Sequence, residues 1–526
     1  MRTAWTLLSL ALLVAAVLVY PLADHPPERR IGPPDGGLTG EQVAERYCQS
    51  CHLLPVPGQL PRETWPFAID WMGNYLGYPK LGGPFERLVA KRLIPDAPLV
   101  STAEMTRLGR YFIEGALPAA ALTPPRAPAP PLEGWTASEL ADAGERGAVV
   151  TLLWVDEANG RLWVGSANDD MLRVFDRDRK LLVALEMGGD PIHIEPRPRG
   201  VRVALAGDFV RDARQGKVVD VALDERAGTV AHRVVLEGLH RTIETHTRDV
   251  DGDGEDDLVV VGFGDGVGSG YGKVSIYWSE REEQVLLDRA GGLGAAIVDI
   301  DGDGALDVLV LATQGSNELV AHLNRGHRTF ERRVLLQRDV SFGFNEMHVL
   351  DFDGDGRLDV VTTNGNNMEM PDPPLRPYHG VRVFRGDGAL GFEEALFHPL
   401  YGALTSVVRD LDGDGDLDIA ATGFYPDWRA AEPETFQIVE NRGRAAGAEG
   451  GAERYLLAPR SLRGEAWNRW MRVAAGDLDG DGRVELFLGA GNVPGGGLHP
   501  SRPRQWEHYR ERLARAPAVL VLDRRP

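Results

Sequence analysis

The chain has 526 residues, too many for one small core, and combines 43% hydrophobic residues with 63 glycines and 35 prolines. Its formal net charge of -21 excludes the clustered basic surface on which nucleic-acid binding rests, so no nucleic-acid partner is expected. Only two cysteines are present, Cys48 and Cys51, which leaves no disulfide framework to hold the fold.

In chain order, Met1-Arg2 precedes an apolar stretch from Trp5 to Tyr20 that turns polar at Asp24. One positive charge ahead of such a stretch predicts an export signal or a short membrane anchor over residues 1–23. No small-x-small cleavage site stands out near Pro21-Leu22-Ala23, so both forms stay open. Either form places the rest of the chain in the periplasm or at the cell surface, held at the inner membrane where the segment is retained.

The next motif is Cys48-Gln49-Ser50-Cys51-His52, the spacing of c-type haem attachment. Two thiols one helical turn apart add to the vinyl groups of one haem, and the adjacent His52 supplies the proximal iron ligand. A zinc site needs two more ligands at matching spacing, and a redox cysteine pair needs a thioredoxin-like context; the sequence offers neither. Thr39, with Gln42 three residues on, predicts the N-cap of a helix running to Tyr47, and a second helix is expected from Arg62 to Trp71. Ser101-Thr102-Ala103-Glu104 opens a third helix, with Met105, Leu108 and Phe112 on one stripe.

For the sixth ligand the sequence favours Met72, which falls just past the second helix and ahead of Gly73, where a loop would present its sulfur. Met105 sits on a helical stripe, where methionine more often fills a core. Failing a methionine, the position is taken by a histidine or water, or stays open. A thioether ligand suits an electron carrier, and an open position suits ligand binding or catalysis. The helices flanking the attachment motif resemble the class I cytochrome c fold, which implies a small all-α haem domain over residues 36–117.

Pro118 to Pro131 is too rich in proline for a helix or a central strand, and marks a semi-rigid linker over residues 118–135. From residue 148 to 526 the chain repeats itself. Five copies carry a carboxylate loop, with acids at positions 1, 3, 5 and 9 and glycines at 4 and 6. The acids are Asp249, Asp251, Asp253 and Asp257; Asp299, Asp301, Asp303 and Asp307; Asp351, Asp353, Asp355 and Asp359; Asp410, Asp412, Asp414 and Asp418; and Asp477, Asp479, Asp481 and Glu485. Successive loops start 50, 52, 59 and 67 residues apart, the spacing of propeller blades. Short apolar strands flank each loop, such as Ala296-Ile297-Val298 before the second and Val308-Leu309-Val310-Leu311 after it.

Such a set of oxygens fits Ca²⁺ better than Mg²⁺. An EF-hand would need a Glu at position 12, where the first loop has Val260, so the last ligand is expected from position 9 and the loop closes a hairpin. About five calcium ions would offset much of the acidic excess. Two further units keep the strands without the acids, Val150 to Phe175 and Ile192 to Leu223, which brings the blades to seven. The loops and their flanks resemble the FG-GAP or VCBS repeats of integrin-α-like propellers. A haem segment ahead of them is similar to exported bacterial VCBS-repeat proteins with an N-terminal monohaem domain.

The resemblance implies a multidomain chain: a small class I-like cytochrome c domain followed by an all-β seven-bladed propeller. Its first functional reading is electron transfer by one covalent haem c with a redox partner protein, the propeller serving as a docking platform. That reading makes the chain a carrier rather than a catalyst with its own substrate. One alternative is a propeller-based oxidoreductase of quinoprotein-dehydrogenase type that uses the haem as internal acceptor, although no nucleophile-base pair or quinone-binding signature is present. Another is a binding or adhesion module. The insertion from Asn364 to Gly380 lies where a small-molecule or glycan ligand would sit on a propeller face, with an ordered surface loop as the simpler reading. His246 and His348, just ahead of the first and third loops, are placed to face a central channel, with a hydrogen-bonded structural role as the simpler reading.

Overall fold

Strands take over from Trp135 onward because neighbouring sheets cover both faces of each blade, so apolar runs rather than alternation mark the buried strands. The second strands of the five acidic blades, Asp257–Gly262, Asp307–Ala312, Asp359–Asn364, Asp418–Gly423 and Glu485–Ala490, are buried at every position. The computed structural model describes residues 32–50, 52–79, 89–124, 126–209, 214–224, 229–264, 271–367, 373–445, 454–466, 468–492, 509 and 511–525. The N-terminal segment 1–23 and Cys51 lie outside the described residues. Among the described residues no helix is long and apolar enough to cross a membrane.

Seven four-stranded antiparallel sheets form the propeller. Blades 1 to 6 are simple meanders over residues 150–186, 191–239, 242–287, 292–338, 344–399 and 403–461. Blade 7 takes three strands from the C-terminal end, Trp470–Gly476, Glu485–Ala490 and Val519–Arg524, and its outer strand, Trp135–Glu139, from far upstream. The propeller thus begins at Trp135, ahead of the start at 148 expected from the repeats. The first strands pack side by side around the ring, and Val150–Asp156 meets Trp470–Gly476 to close it. That closure is apolar, with Val155, Leu162 and Phe175 of blade 1 packed on Phe487, Val519 and Val521 of blade 7.

Ahead of the propeller stands a small helical unit of α1 (Gly40–Tyr47), α2 (Trp65–Tyr75) and α3 (Thr102–Gly115). Both expected capping boxes are formed, Thr39 with Gln42 and Ser101 with Glu104. α1 crosses α3 at Gly40, where a Cβ would lie 2.2 Å from the Arg107 carbonyl oxygen, so only glycine permits the contact. Trp65 stacks on Phe112 with ring centroids 4.3 Å apart, in a core shared with Val43, Leu60, Met105 and Leu108.

Two local expectations are corrected. α2 begins at Trp65 and runs through Met72 and Gly73 to Tyr75, so Met72 lies within the helix and not in a loop past it. The helix continues because Gly73 packs against the Met105 methyl, which a Cβ there would approach to 3.0 Å. The proline-rich linker, expected as a semi-rigid spacer without a helix, holds a helical turn and is bonded to the propeller. It opens with one helical turn, Ala119–Leu122, and then Arg126 pairs with Glu434 at 3.0 Å and Leu132 N–H donates to the Ser461 carbonyl at 2.8 Å.

Since Phe487 is fully buried at the junction of blades 7 and 1, Phe487→Ala is expected to lower stability by about 3–5 kcal/mol. Urea unfolding checks this, and a change below about 1 kcal/mol would contradict a packed closure.

Candidate functional site

Each acidic loop joins the first strand of a blade to the second, so all five open on the same face of the ring. Glycines at positions 4 and 6 adopt positive φ, for example +76° and +91° at Gly252 and Gly254, with no atom near the site of a missing Cβ. Backbone conformation, and not crowding, therefore requires glycine there.

The position-1 carboxylate organises the loop from inside. Asp249 accepts from the N–H groups of Gly252, Asp253 and Gly254 at 2.8, 3.1 and 2.9 Å, and Asp299 repeats the pattern. Position 9 does something the sequence did not disclose. Its carboxylate is buried and fastens two pieces of backbone at once. Asp257 accepts from Val250 at 3.0 Å and from Ser279 at 2.9 Å, Asp307 from Ile300 and Asn324, Asp359 from Phe352 and Gly386, and Asp418 from Leu411 and Asn441. The loop is thereby tied to the end of the third strand. Position 2, always apolar, is buried beneath it as Val250, Ile300, Phe352, Leu411 and Leu478.

Carboxylate oxygens of positions 1, 3 and 9 lie within 4.8 Å of one another in the loops starting at Asp249, Asp410 and Asp477, and those of positions 1, 3 and 5 do so in the loops starting at Asp299 and Asp351. These spacings suit oxygen donors around one hard cation. In three loops a guanidinium reaches position 3: Arg328 to Asp251 at 2.7 Å, Arg325 to Asp301 at 2.8 Å and Arg444 to Asp353 at 3.1 Å. Burial, the leading cause, raises all five position-9 acids, Asp418 to about 6 and Glu485 to about 7.

In the helical unit, Cys48 is the C-cap residue of α1 and is half-buried. His52 Nδ1 stands 2.8 Å from the Leu53 carbonyl oxygen. A carbonyl only accepts, so Nδ1 carries the proton and Nε2 keeps its lone pair for a metal. Leu53, Val56, Leu93 and Leu99 of this unit are exposed by 41–53%. Met72 is half-buried, whereas Met105 is 8% exposed within the core.

The insertion after blade 5's second strand is no open ligand loop over its described part. Asn367, Arg376 and His379 are at most 3% exposed, and the Tyr378 hydroxyl donates to the Gln59 carbonyl at 3.1 Å, joining the propeller to the helical unit.

His246 and His348 do line the inner ring of first strands, together with Glu244 and Glu346 on the same two strands and with His193 and Arg472 from the first strands of blades 2 and 7. Glu244 accepts from Ala295 N–H at 2.6 Å and Glu346 from Ser406 N–H, so each carboxylate staples its blade to the next. Burial pushes His193 down to about 4. It also works against charge on His246 and His348, yet Glu244 and Glu346 hold both above the ordinary imidazole value. Sequence placed two of these six residues at the channel. The others became visible only when the ring closed.

A family model described as FG-GAP-like repeat matches three overlapping segments, residues 249–310, 299–362 and 351–421, each beginning at position 1 of an acidic loop. No curated protein matches the chain. Similar solved structures include the Dos1 propeller, 8% identical with a TM-score of 0.41 over 65% of this chain and 75% of that one. Regucalcin, a calcium-binding protein from Agrobacterium tumefaciens, is 11% identical with a TM-score of 0.36 over 56% and 88%. An Agrocybe aegerita lectin that recognises non-reducing terminal N-acetylglucosamine is 17% identical with a TM-score of 0.34 over 60% and 81%. Values this low carry no functional inference.

Asp359 is fully buried and holds two N–H groups, so Asp359→Ala is expected to cost about 2–4 kcal/mol even with EDTA present. The exposed Asp355→Ala is expected to be nearly neutral under the same conditions. Paired urea titrations in EDTA check the contrast, and equal effects would refute the position-9 tie.

Proposed function

From FG-GAP-like repeats in a seven-bladed propeller and a helical unit bearing Cys48-Gln-Ser-Cys51-His52, we propose an exported monohaem c-type electron carrier. Its calcium-stabilised propeller serves as the platform for a redox partner. The observation that carries this reading is the His52 Nδ1–H bond to the Leu53 carbonyl at 2.8 Å, four residues past Cys48. It orients the ring and leaves Nε2 as the ligand atom, the outer-partner arrangement that metal-binding histidines use.

Cys48 and Cys51 would hold one haem c covalently, His52 would take its proximal side, and Leu53, Val56, Leu93 and Leu99 offer apolar surface for the macrocycle. That haem, when bound, supplies a one-electron redox centre. Met72, half-buried on α2, is the proposed sixth ligand, and Met105 stays a core residue. The Tyr378 bond to Gln59 and the Arg126–Glu434 pair brace the carrier against blades 5 and 6. A partner that docks on the propeller would thus meet the haem unit in a fixed orientation. The five acidic loops are proposed to bind calcium through positions 1, 3, 5 and 9.

Expression with a haem-attachment system is expected to give a six-coordinate low-spin absorption spectrum. Met72→Ala should convert it to a high-spin, carbon monoxide-reactive form. Met105→Ala should leave the spectrum unchanged and cost about 2–3 kcal/mol of stability in the helical unit. Colourless protein, or a low-spin spectrum that survives Met72→Ala, would contradict the respective assignment.

Raised acids bind protons more readily folded than unfolded, so the ion-free propeller gains stability as pH falls through about 7 and about 6 and loses it as pH rises through them. Calcium prefers the ionised loops. EDTA is therefore expected to lower the melting temperature more at pH 8 than at pH 5; an equal drop at both would oppose the calcium assignment.

A further inference from the structure

Two arginines rank among the largest wholly buried side chains, Arg202 at 0% and Arg469 at 1% exposure. A guanidinium carries five N–H donors and no acceptor, and taking it out of water is costly unless an anion and further acceptors meet it. Arg202 has both, with Asp220 at 2.7 Å and Glu280 at 2.5 Å. Arg469 has neither in full. Among the described residues no carboxylate pairs with it, and Tyr425 is the one titratable group that acts on its charge.

Its Nε donates to the Phe424 carbonyl at 3.2 Å, and its Cζ stands 3.7 Å from the centroid of the Phe424 ring. An aromatic face attracts a cation but leaves the in-plane N–H groups unmatched. Nη2 is accordingly buried without a hydrogen-bond partner. Burial lowers the guanidinium to about 10, so it stays charged at neutral pH. The neighbouring backbone repeats the shortage. The Gly491 N–H donates to the Arg469 carbonyl at 2.8 Å, and one residue beyond that bond on either side stand Asn468 and Asn492. Asn468 is 2% exposed with neither amide atom bonded, and Asn492 Oδ1 is buried without a partner. Buried polar groups are normally matched, so this many in one place mark a missing partner.

The position favours an anion. Arg469 precedes the first strand of blade 7 and Phe424 follows the second strand of blade 6, so both lie on the face opposite the acidic loops. Phe424 and Tyr425 share an apolar cluster there with Val149 and Met471, and in such a setting a cation attracts an anion with little screening.

We propose that Arg469 binds one chloride-sized monovalent anion at the junction of blades 6 and 7. One positive charge calls for one negative charge, and a guanidinium this buried leaves room for a small ion rather than a larger ligand. The anion takes for Arg469 the part that Asp220 and Glu280 play for Arg202. Neither haem nor calcium enters this assignment.

The test follows thermal unfolding of haem-loaded, full-length protein in millimolar calcium gluconate while sodium chloride replaces sodium gluconate at constant ionic strength. Gluconate is too large for the site. The melting temperature is expected to rise with chloride and to level off as the site fills, as binding to the folded state requires. Bromide is expected to act likewise, and crystals grown in bromide are expected to show an anomalous-scattering peak against the Arg469 guanidinium. Arg469→Met, which removes the charge and keeps a long side chain, is expected to lose the chloride-dependent rise. A melting temperature indifferent to chloride, an undiminished rise in the variant, or a bromide map with nothing at Arg469 would overturn the proposal. Because the map uses the unaltered protein, it decides the question even where the variant does not fold.

Discussion

A buried carboxylate at the ninth position of each acidic loop is the constraint around which the propeller is built. Removing such a group from water is costly unless its oxygens are matched. Here Asp257, Asp307, Asp359 and Asp418 each match two N–H groups, one from the loop and one from the end of the third strand. The turn is thereby fixed, the apolar residue at position 2 is pressed into the core, and the remaining acids are brought together at the rim. The blades without acidic loops solve the same problem differently. In blade 1, Asp156 accepts from Asn159, and in blade 2 the fully buried Arg202 pairs with Asp220 and Glu280.

Repeated acids at fixed offsets and short apolar runs made the blades legible, because both features are local. Blade number followed from them. What position 9 does besides was not legible: the sequence shows only an acid, and its depth and two N–H partners show that it also fastens the loop to the third strand. The outer strand of blade 7 was hidden for another reason. Trp135–Glu139 pairs with Val519–Arg524, so its partner lies near the opposite end of the chain and its short polar sequence follows a proline run. The end of α2 was misplaced because Gly73, which reads as a stop, is instead the close contact that admits the Met105 methyl.

The candidate sites divide in the same way. The proposed haem attachment at Cys48, Cys51 and His52 rests on spacing, and the proposed ion binding of the acidic loops rests on repetition. Glu244 and Glu346 carry no such signal, since each is told from an ordinary strand residue only by the N–H of the next blade that it accepts, Ala295 and Ser406. Tyr378 is similar: its part in holding the helical unit depends on a contact with Gln59 that no local pattern encodes. A closed ring, a helical unit braced against two of its blades and an acidic rim together suit a binding or docking platform.

The central claim, that one porphyrin iron and a rim of calcium loops occur in the same molecule, is tested most directly by elemental analysis of the purified full-length protein. The account predicts one iron and about five calcium ions per chain, one for each acidic loop. Protein without iron after expression alongside working haem-attachment machinery, or without calcium after equilibration in it, would contradict the account.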